Sequence, residues 1–282
     1  MAARNWAISI GINEYKFTSL KPLKYAKQDA AEFSKFFKDE AKFNEVYLFT
    51  EDSPSVRGEF TQPYRSPLIR FFEKQFYNPF LDKNDSLWLF FSGHGIRHAG
   101  KDYILPADGD KELVEHTGIE LDYISQKLNC SGAGYKFLIV DCCRTDGRKG
   151  QGFGDSACEG ITKIFSCKPY ESSWEIGEPI FQGAFTHTLL KIFRSQINEK
   201  YLTTVQVERN LQRETIALNK KYNKEIQTPH IVCESSGRSS LPLFPPSLDY
   251  IRQKQRLQKD KSKTILKKNS LRLEKKVVDY FI

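Results

Sequence analysis

Two short apolar runs that each end in a polar motif constrain the fold of this chain most. Residues 87–91 (Leu-Trp-Leu-Phe-Phe) precede Ser-Gly-His-Gly at 92–95, and residues 137–140 (Phe-Leu-Ile-Val) precede Asp-Cys-Cys-Arg at 141–144. Short apolar runs closed by Gly or charged residues are typical of fully buried strands in parallel sheets. Catalytic groups in such sheets gather beyond the carboxyl ends of the strands. The two motifs therefore predict a His and a Cys that face each other across one site.

The remaining pattern alternates between strands and helices. Strand-like runs occupy residues 6–10, 45–50, 161–167 and 230–232, with a short extended piece at 103–105. Helical spacing of apolar residues is found at 25–37, 67–77, 119–128, 184–197 and 204–220. Alternating elements of this kind indicate an α/β fold, a three-layer sandwich with a predominantly parallel central sheet.

Composition favours an intracellular globular protein. The chain has 282 residues, of which 39% are hydrophobic, enough for a substantial core. No apolar run approaches the roughly 18–20 residues that span a membrane, and the start lacks the apolar core of a secretory signal. The six Cys have neither metal-ligand spacing nor the look of a disulfide framework. We expect a cytoplasmic location and no membrane span.

The positive charge is concentrated at the end of the chain. Residues 247–282 contain eleven Lys or Arg and four Asp or Glu, whereas the whole chain has a net charge of +8. Pro242, Pro245 and Pro246 mark the boundary, which predicts one domain at 1–245 and a basic tail, helical in pattern, at 246–282. The tail would dock on a partner protein or an acidic surface. A nucleic acid, revealed by steeply salt-dependent affinity, is the less favoured partner.

His94 and Cys143 have the chemistry of a cysteine hydrolase. A thiol attacks a carbonyl as thiolate, so it needs a base or an imidazolium beside it. A His side chain exchanges protons near neutral pH and suits that role. The oxyanion that forms needs backbone N–H donors, and the N–H groups of Gly95 and Cys143 are the candidates.

These motifs carry a family resemblance. His94 precedes Cys143 by about 50 residues, the spacing of the caspase signature. The runs Ile-Ser-Ile-Gly-Ile-Asn-Glu-Tyr at 8–15 and Tyr-Ala-Lys-Gln-Asp-Ala at 25–30 match the family's first strand and first helix. Over roughly residues 5–245 the chain resembles caspase-like cysteine peptidases and is most similar to bacterial orthocaspases and paracaspases. The resemblance implies a caspase-like fold, large-subunit-like at 1–150 and small-subunit-like at 160–245, on one uncut chain.

The resemblance also assigns the nucleophile. The family motif Asp-x-Cys places it at Cys143, with Cys142 in the variable middle position. Neighbouring residues at a strand end point in opposite directions, which agrees with this assignment. We therefore expect Cys143 to face the cleft and Cys142 to pack in the core.

The same resemblance implies an acidic pocket for the substrate residue before the scissile bond. Its carboxylates would be Asp29, Asp141 and Glu175, with Glu171 as an alternative to Glu175 and Ser92 as a further lining residue. Carboxylates in a partly desolvated pocket pair strongly with a guanidinium. The expected activity is endopeptidase cleavage after Arg, then Lys, through an acyl-enzyme.

No residue pattern implies an organic cofactor or a metal. An acidic stretch is a candidate for calcium binding (Asp108, Asp110, Glu112, Glu115 and Glu120), but the adjacent aspartates of metacaspases have no match here. The chain also departs from metacaspases after the nucleophile, where Arg-Thr-Asp at 144–146 replaces His-Ser-Gly. We favour a solvated acidic loop. The other histidines (His98, His116, His187 and His230) are interpreted as structural or surface residues.

The resemblance extends to regulation. A basic segment follows the nucleophile (Arg144, Arg148 and Lys149, then Lys163) and is a candidate for self-cleavage. The expected setting is a regulated bacterial stress, cell-death or defence response. The alternative is a catalytically idle caspase-homology scaffold or signalling adaptor that docks through its tail. An intact His and Cys favour the enzyme.

Overall fold

Strands and helices alternate along the chain in the computed structural model, which describes residues 3–56, 58–142, 160–168, 171–198 and 202–233. In chain order the strands are β1 (Asn5–Gly11), β2 (Glu45–Phe49), β3 (Ser86–Ser92), β4 (Gly95–His98), β5 (Lys101–Ile104), β6 (Ile119–Glu120), β7 (Tyr135–Asp141), β8 (Ile161–Phe165), β9 (Glu175–Ile176), β10 (Gln182–Gly183) and β11 (His230–Cys233). The helices are α1 (Ala26–Lys35), α2 (Arg65–Gln75), α3 (Val114–Thr117), α4 (Leu121–Cys130), α5 (Ala184–Asn198) and α6 (Thr204–Lys221). A π-helical turn, Phe36–Glu40, continues α1, and a 3-10 turn, Lys111–Leu113, precedes α3.

Six strands form the central sheet, in the order β11-β8-β7-β3-β1-β2. Every neighbouring pair is parallel except β11 and β8, which are antiparallel. All seven residues of β3, the central apolar run, are buried. The mainly parallel α/β architecture that the sequence predicts is confirmed, and β11 is the exception at one edge.

Side chains that alternate along the strands divide the core into two layers. Leu87, Leu89 and Phe91 of β3 pack in one cluster with Phe72 of α2 and Ile124 of α4. On the other face, rings of β3 contact α1, α5 and the Phe137 ring of β7. Phe90 stacks on Phe33 at 4.1 Å, and Trp88 stacks on Phe137 at 3.8 Å and meets Phe193 edge-on at 5.8 Å. The sheet is therefore covered on both faces, as parallel sheets require.

The carboxyl ends of β1, β3 and β7 are level with one another. Gly11 pairs with Ser92, and Ser92 pairs with Asp141, in the sheet register. A Cβ at Gly11 would lie 2.4 Å from the carbonyl oxygen of Ala26, so only Gly allows α1 to begin this close to the end of β1. The end of β1, the two polar motifs and the start of α1 consequently share one edge of the sheet.

Two smaller sheets flank this edge. β4, β5 and β6 form an antiparallel sheet directly after the His motif, and β9 pairs with β10. The sequence predicted only the extended piece at 103–105. The other strands are short and carry no apolar run, so their pattern gives no strand signal.

Some predicted features lie outside the described residues. They are Cys143, the segment after it to residue 159, the boundary at residues 245–246 and the basic tail. Within the ranges that the structure describes, no helix combines the length and the hydropathy needed to cross a bilayer.

Candidate active site

The two polar motifs meet through backbone hydrogen bonds. Gly93 N–H donates to the carbonyl of Asp141 at 3.2 Å, and Ile12 N–H donates to the carbonyl of Ser92 at 3.1 Å. A Cβ at Gly93 would lie 2.7 Å from the Tyr15 hydroxyl, so the motif also packs closely on the loop after β1. The loop that carries His94 is thus fixed beside the end of the strand that precedes the Cys pair.

His94 is held by two residues of the loop that follows β1. Its backbone N–H donates to the Tyr15 hydroxyl at 2.7 Å, and the two rings lie 4.7 Å apart between centroids. Its side-chain Nε2 lies 2.8 Å from the carbonyl oxygen of Lys21. Because a carbonyl only accepts, this contact assigns the proton of the neutral ring to Nε2. Nδ1 is then the basic nitrogen.

The surroundings of His94 act on its pKa in opposite directions. Burial is the largest influence and lowers the pKa of His94 below its ordinary value, whereas the Lys21 carbonyl and the Glu175 carboxylate oppose that change. The ring is consequently neutral near pH 7, with Nδ1 able to accept a proton.

Asp29 and Asp141 are both buried at this edge. Asp29, on α1, is 2% exposed and accepts the Gly183 N–H at 3.0 and 3.2 Å and the Ser92 hydroxyl at 3.3 Å. Asp141, at the end of β7, accepts hydroxyls of Ser173 and Thr186, each at 2.6 Å. Among the described residues neither carboxylate has a Lys or Arg partner.

Gly183 lies between these two carboxylates. A Cβ at this position would lie 2.8 Å from Asp141 Oδ2 and 2.9 Å from Asp29 Oδ2, so both oxygens face one point. Burial and the charges of Asp141 and Glu175 raise the pKa of Asp29 well above its ordinary value, against the Gly183 and Ser92 hydrogen bonds. Burial also raises the pKa of Asp141, although the hydroxyls that donate to it limit the change.

Glu175 brings a third carboxylate to the same place. Its Oε1 accepts the backbone N–H groups of Lys24 and Tyr25 at 2.8 and 2.6 Å. Glu171, the alternative from sequence, instead accepts the N–H and hydroxyl of Thr228 at 2.6 and 2.9 Å. The structure therefore places Glu175, and not Glu171, at the pocket.

One pocket collects most of the predicted site residues. Its free volume is about 30 Å³, and its lining includes Ser92, His94, Asp29, Asp141, Glu175, Cys142, Gly183, Trp174, Ser173, Gly93, Ala26 and Leu23. Cys142 is 3% exposed and belongs to the apolar core cluster as well as to the pocket wall. Cys143, the next residue, lies outside the described residues.

Gly95 follows His94 and begins β4. Leu105 N–H donates to the carbonyl of His94 at 3.0 Å, which makes Gly95 and Ile104 a pair without mutual hydrogen bonds. In such a pair the N–H groups point out of the ladder. The Gly95 N–H is therefore directed away from β5.

The acidic stretch does not converge on one point. Asp108 accepts the Arg65 N–H, Asp110 accepts the Glu112 N–H, and Glu120 pairs with Lys101. In the described ranges no group of three or more His, Cys, Asp or Glu is arranged to hold a metal ion. His98 lies near Glu115, His187 contacts Gln182, and His230 stacks on Phe165.

Several residues of the site were missed by reasoning from sequence. They are Tyr15, the Lys21 carbonyl, Gly183, Ser173 and Thr186. Tyr15 lies in the run at residues 8–15, whose only signal in the sequence is the family resemblance. The others act through backbone groups or common hydroxyls, which carry no sequence signal of their own.

Comparison with known families agrees with this architecture. The family model Peptidase_C14, described as "Caspase domain", matches residues 4–239. The chain therefore belongs to the caspase-domain family of cysteine-type peptidases, whose substrates are proteins. A search of curated proteins found no match to this chain.

Proposed function

We propose that this caspase-family member is a cysteine endopeptidase that cleaves proteins after Arg and, less readily, after Lys. The observation that carries the proposal is the convergence of three carboxylates, Asp29, Asp141 and Glu175, on one pocket beside His94. Within the described residues none of them is paired with a Lys or Arg. A buried carboxylate without a cationic partner costs free energy, and binding of a cationic substrate side chain offsets that cost.

Each pocket carboxylate offers a distinct contact to an incoming guanidinium. The Lys24 and Tyr25 N–H groups bind Glu175 Oε1 and leave Oε2 for the guanidinium. Asp29 Oδ2 already accepts the Gly183 N–H and the Ser92 hydroxyl, and Asp141 Oδ2 accepts the Thr186 hydroxyl, so these oxygens would add the guanidinium as a further donor. A guanidinium has five N–H donors in a fixed plane and so can reach several carboxylates at once, which a Lys ammonium does less well.

His94 is proposed to accept the thiol proton of Cys143 on Nδ1. The Lys21 carbonyl fixes Nε2–H and stabilises the imidazolium that forms. Support for Cys143 comes from its neighbour, because Cys142 lines the same pocket as His94 and Cys143 is the next residue of the chain.

The reaction then follows acyl transfer to sulfur. The thiolate attacks the scissile carbonyl, and the N–H groups of Gly95 and Cys143 stabilise the oxyanion. The imidazolium donates its proton to the leaving amine, and the C–N bond breaks to give a thioester. Water, deprotonated by His94, then attacks the thioester and releases the new carboxyl end and the thiol.

Cleavage of fluorogenic peptides that differ only in the residue before the bond tests this proposal. We expect Arg peptides to be cut fastest, Lys peptides next and Asp peptides not measurably. Cys143→Ala should lower kcat by roughly 1,000-fold or more. Cys142→Ala, which removes a core side chain, should cost about 10-fold or less. Cys130→Ala, at an exposed thiol on α4, is the matched control that should change nothing.

Two outcomes would contradict the proposal. Faster cleavage of Asp peptides than of Arg peptides would show that the pocket is assigned wrongly. Failure of an Arg-directed electrophile to label Cys143 would instead favour the scaffold or adaptor. Cys142 and Cys143 lie on one proteolytic fragment of the labelled protein. Sequencing that fragment by mass spectrometry shows which of the two sulfurs is modified.

We further propose that the enzyme cleaves itself after Arg144, Arg148 or Lys149, as part of a regulated stress, cell-death or defence response. Lys163 is the weaker candidate, because it is 3% exposed within β8. Mixing active enzyme with Cys143→Ala protein tests this step. If the inactive protein stays whole while Arg peptides are cut, self-cleavage does not occur.

A further inference from the structure

One short segment, residues 21–25, contacts both functional halves of the site. The carbonyl of Lys21 lies 2.8 Å from His94 Nε2. Three residues later, the N–H groups of Lys24 and Tyr25 hold Glu175 Oε1 at 2.8 and 2.6 Å. The position of this segment therefore sets the orientation of the imidazole and of one pocket carboxylate together.

Asn13 fixes that segment from outside the pocket. Its Nδ2 donates to the Lys24 carbonyl at 3.0 Å, and its own carbonyl accepts the Leu23 N–H at 2.9 Å. Its Oδ1 accepts the Lys27 N–H at 2.9 Å, at the start of α1. One side chain thus connects the segment to the helix that carries Asp29.

The backbone at Asn13 is itself fixed by hydrogen bonds. Its N–H donates to Glu51 Oε1 at 2.6 Å, and the preceding Ile12 donates to Ser92 at the end of β3. Residues 12–23 contain no helix or strand, so individual backbone and side-chain hydrogen bonds define their path. The hydrogen bonds of Asn13 therefore fix the position of residues 21–25 relative to the edge of the sheet.

We infer that Asn13 is a positioning residue that sets His94 and Glu175 together through residues 21–25, although it does not line the pocket. This inference rests on the proposed function. Loss of its amide donor should loosen the Lys21 carbonyl from His94 and the Lys24 N–H from Glu175. Both proton transfer and Arg recognition should then weaken in the same variant.

Two substitutions separate this role from simple support of α1. Asn13→Asp keeps an oxygen acceptor for the Lys27 N–H but has no donor for the Lys24 carbonyl. Asn13→Ala loses both contacts, and both variants keep the backbone contacts of residue 13. Asn44→Asp is the matched control, because Asn44 accepts the Asn5 N–H at the opposite end of β1. Thermal unfolding identifies variants that are merely unstable.

The first measurement does not depend on peptidase activity. The ring of His94 is titrated by NMR in Cys143→Ala protein, with His94→Gln assigning its signals among the five His. The groups that face the ring are Tyr15, the Lys21 carbonyl and Glu175, with Asp29 and Asp141 in the same pocket. Loss of the carbonyl contact should lower the pKa of His94 in both Asn13 variants. The negative charge added in Asn13→Asp would by itself raise the pKa of His94. The direction of the pKa change therefore separates loss of the carbonyl contact from the effect of the added charge.

The second measurement is the kinetics of Arg-peptide cleavage. Both Asn13 variants should lose roughly 10- to 100-fold in kcat/KM, with kcat lowered and KM raised, because small displacements of catalytic groups are costly. The Asn44→Asp control should match the parent in both measurements. An unchanged His94 titration in both Asn13 variants, or full activity in Asn13→Asp, overturns the inference. Absence of Arg cleavage by the parent overturns the proposed function instead, and the titration still decides the role of Asn13.

Discussion

Buried carboxylates at the two ends of the central sheet differ in their partners and in the direction of their pKa shifts. At the amino end, Asp85 accepts the N–H groups of Arg4 and Asp82 at 2.7 and 2.9 Å and lies 2.8 Å from the Arg4 guanidinium. Burial favours a higher pKa of Asp85, but these partners more than offset it, and its pKa is lowered. At the carboxyl end, burial and neighbouring carboxylates raise the pKa of Asp29, and no Lys or Arg of the described residues pairs with it.

The contrast separates an acid that is paired with a cation of the chain from one that has no such partner among the described residues. Asp85 and Asp29 are 3% and 2% exposed, so burial alone does not distinguish them. The difference is the bound cation, which the chain supplies as Arg4 at one end. We propose that the substrate supplies it at the other end.

Among the substitutions that test this contrast, the largest effect should come from removing the charge of Asp29. Asp29→Asn keeps an oxygen for the Gly183 N–H but leaves the substrate guanidinium less well paired. We expect kcat/KM for Arg peptides to fall by about 100- to 1,000-fold, the usual cost of breaking a buried charge pair. Asp85→Asn should leave the ratio of Arg to Lys cleavage unchanged. Equal losses of kcat/KM for Arg peptides in Asp29→Asn and Asp85→Asn would contradict the contrast between the two ends of the sheet.

The second prediction concerns stability, where the two substitutions should differ in sign. At pH 7, Asp29→Asn should raise the free energy of unfolding by roughly 1–3 kcal/mol, because it removes an unpaired buried carboxylate. Asp85→Asn should lower it by about 1–2 kcal/mol, since the Arg4 and Asp82 groups lose a charged acceptor. Urea unfolding of both variants beside the parent measures the two changes.

The pH dependence of the same variants follows from linkage. A raised pKa means that folded Asp29 binds more protons than unfolded Asp29, so its contribution to stability falls as pH rises above about 4. The advantage of Asp29→Asn should therefore vanish near pH 4 and grow toward neutral pH. The lowered pKa of Asp85 has the opposite sign, because its contribution is present at neutral pH and is lost on acidification. Parallel pH profiles for the two variants would contradict the assignment.

The smallest effect should come from Tyr15→Phe. This change keeps the ring beside His94 but removes the hydroxyl that accepts the His94 N–H. The loss of one hydrogen bond of about 1 kcal/mol should lower kcat by roughly 3- to 10-fold with little change in KM for Arg peptides. Steady-state kinetics on Arg and Lys peptides measures it. A rise in KM without a change in kcat would place Tyr15 on the substrate side of the site.

The central sheet and the family could be predicted from the sequence because both depend on strong local signals. Apolar runs such as 87–91 and 137–140, closed by Gly or charged residues, are typical of buried strands, and the ends of parallel strands share one edge. The convergence of Asp29, Asp141 and Glu175 was expected only from resemblance, because these residues are far apart in the chain. Their geometry depends on tertiary contacts.

Other features of the site could not be predicted for the same reason. The Lys21 carbonyl that orients His94 is a backbone group, which any residue would supply. Asn13 acts through four hydrogen bonds made possible by the turn after β1, and its sequence neighbourhood gives no hint of them. β11 pairs antiparallel with β8, and its Ile231 N–H donates to Glu208 of α6, a tertiary contact that its own four residues do not predict.

The absence of a side chain at Gly183 leaves the space between Asp29 and Asp141 open. A methyl group there would lie within 3 Å of the Oδ2 atoms of both residues, so at least one carboxylate would have to move. If the proposed Arg pocket is correct, a mutation from Gly to Ala at this one position would weaken the acceptance of basic residues without altering any charged group.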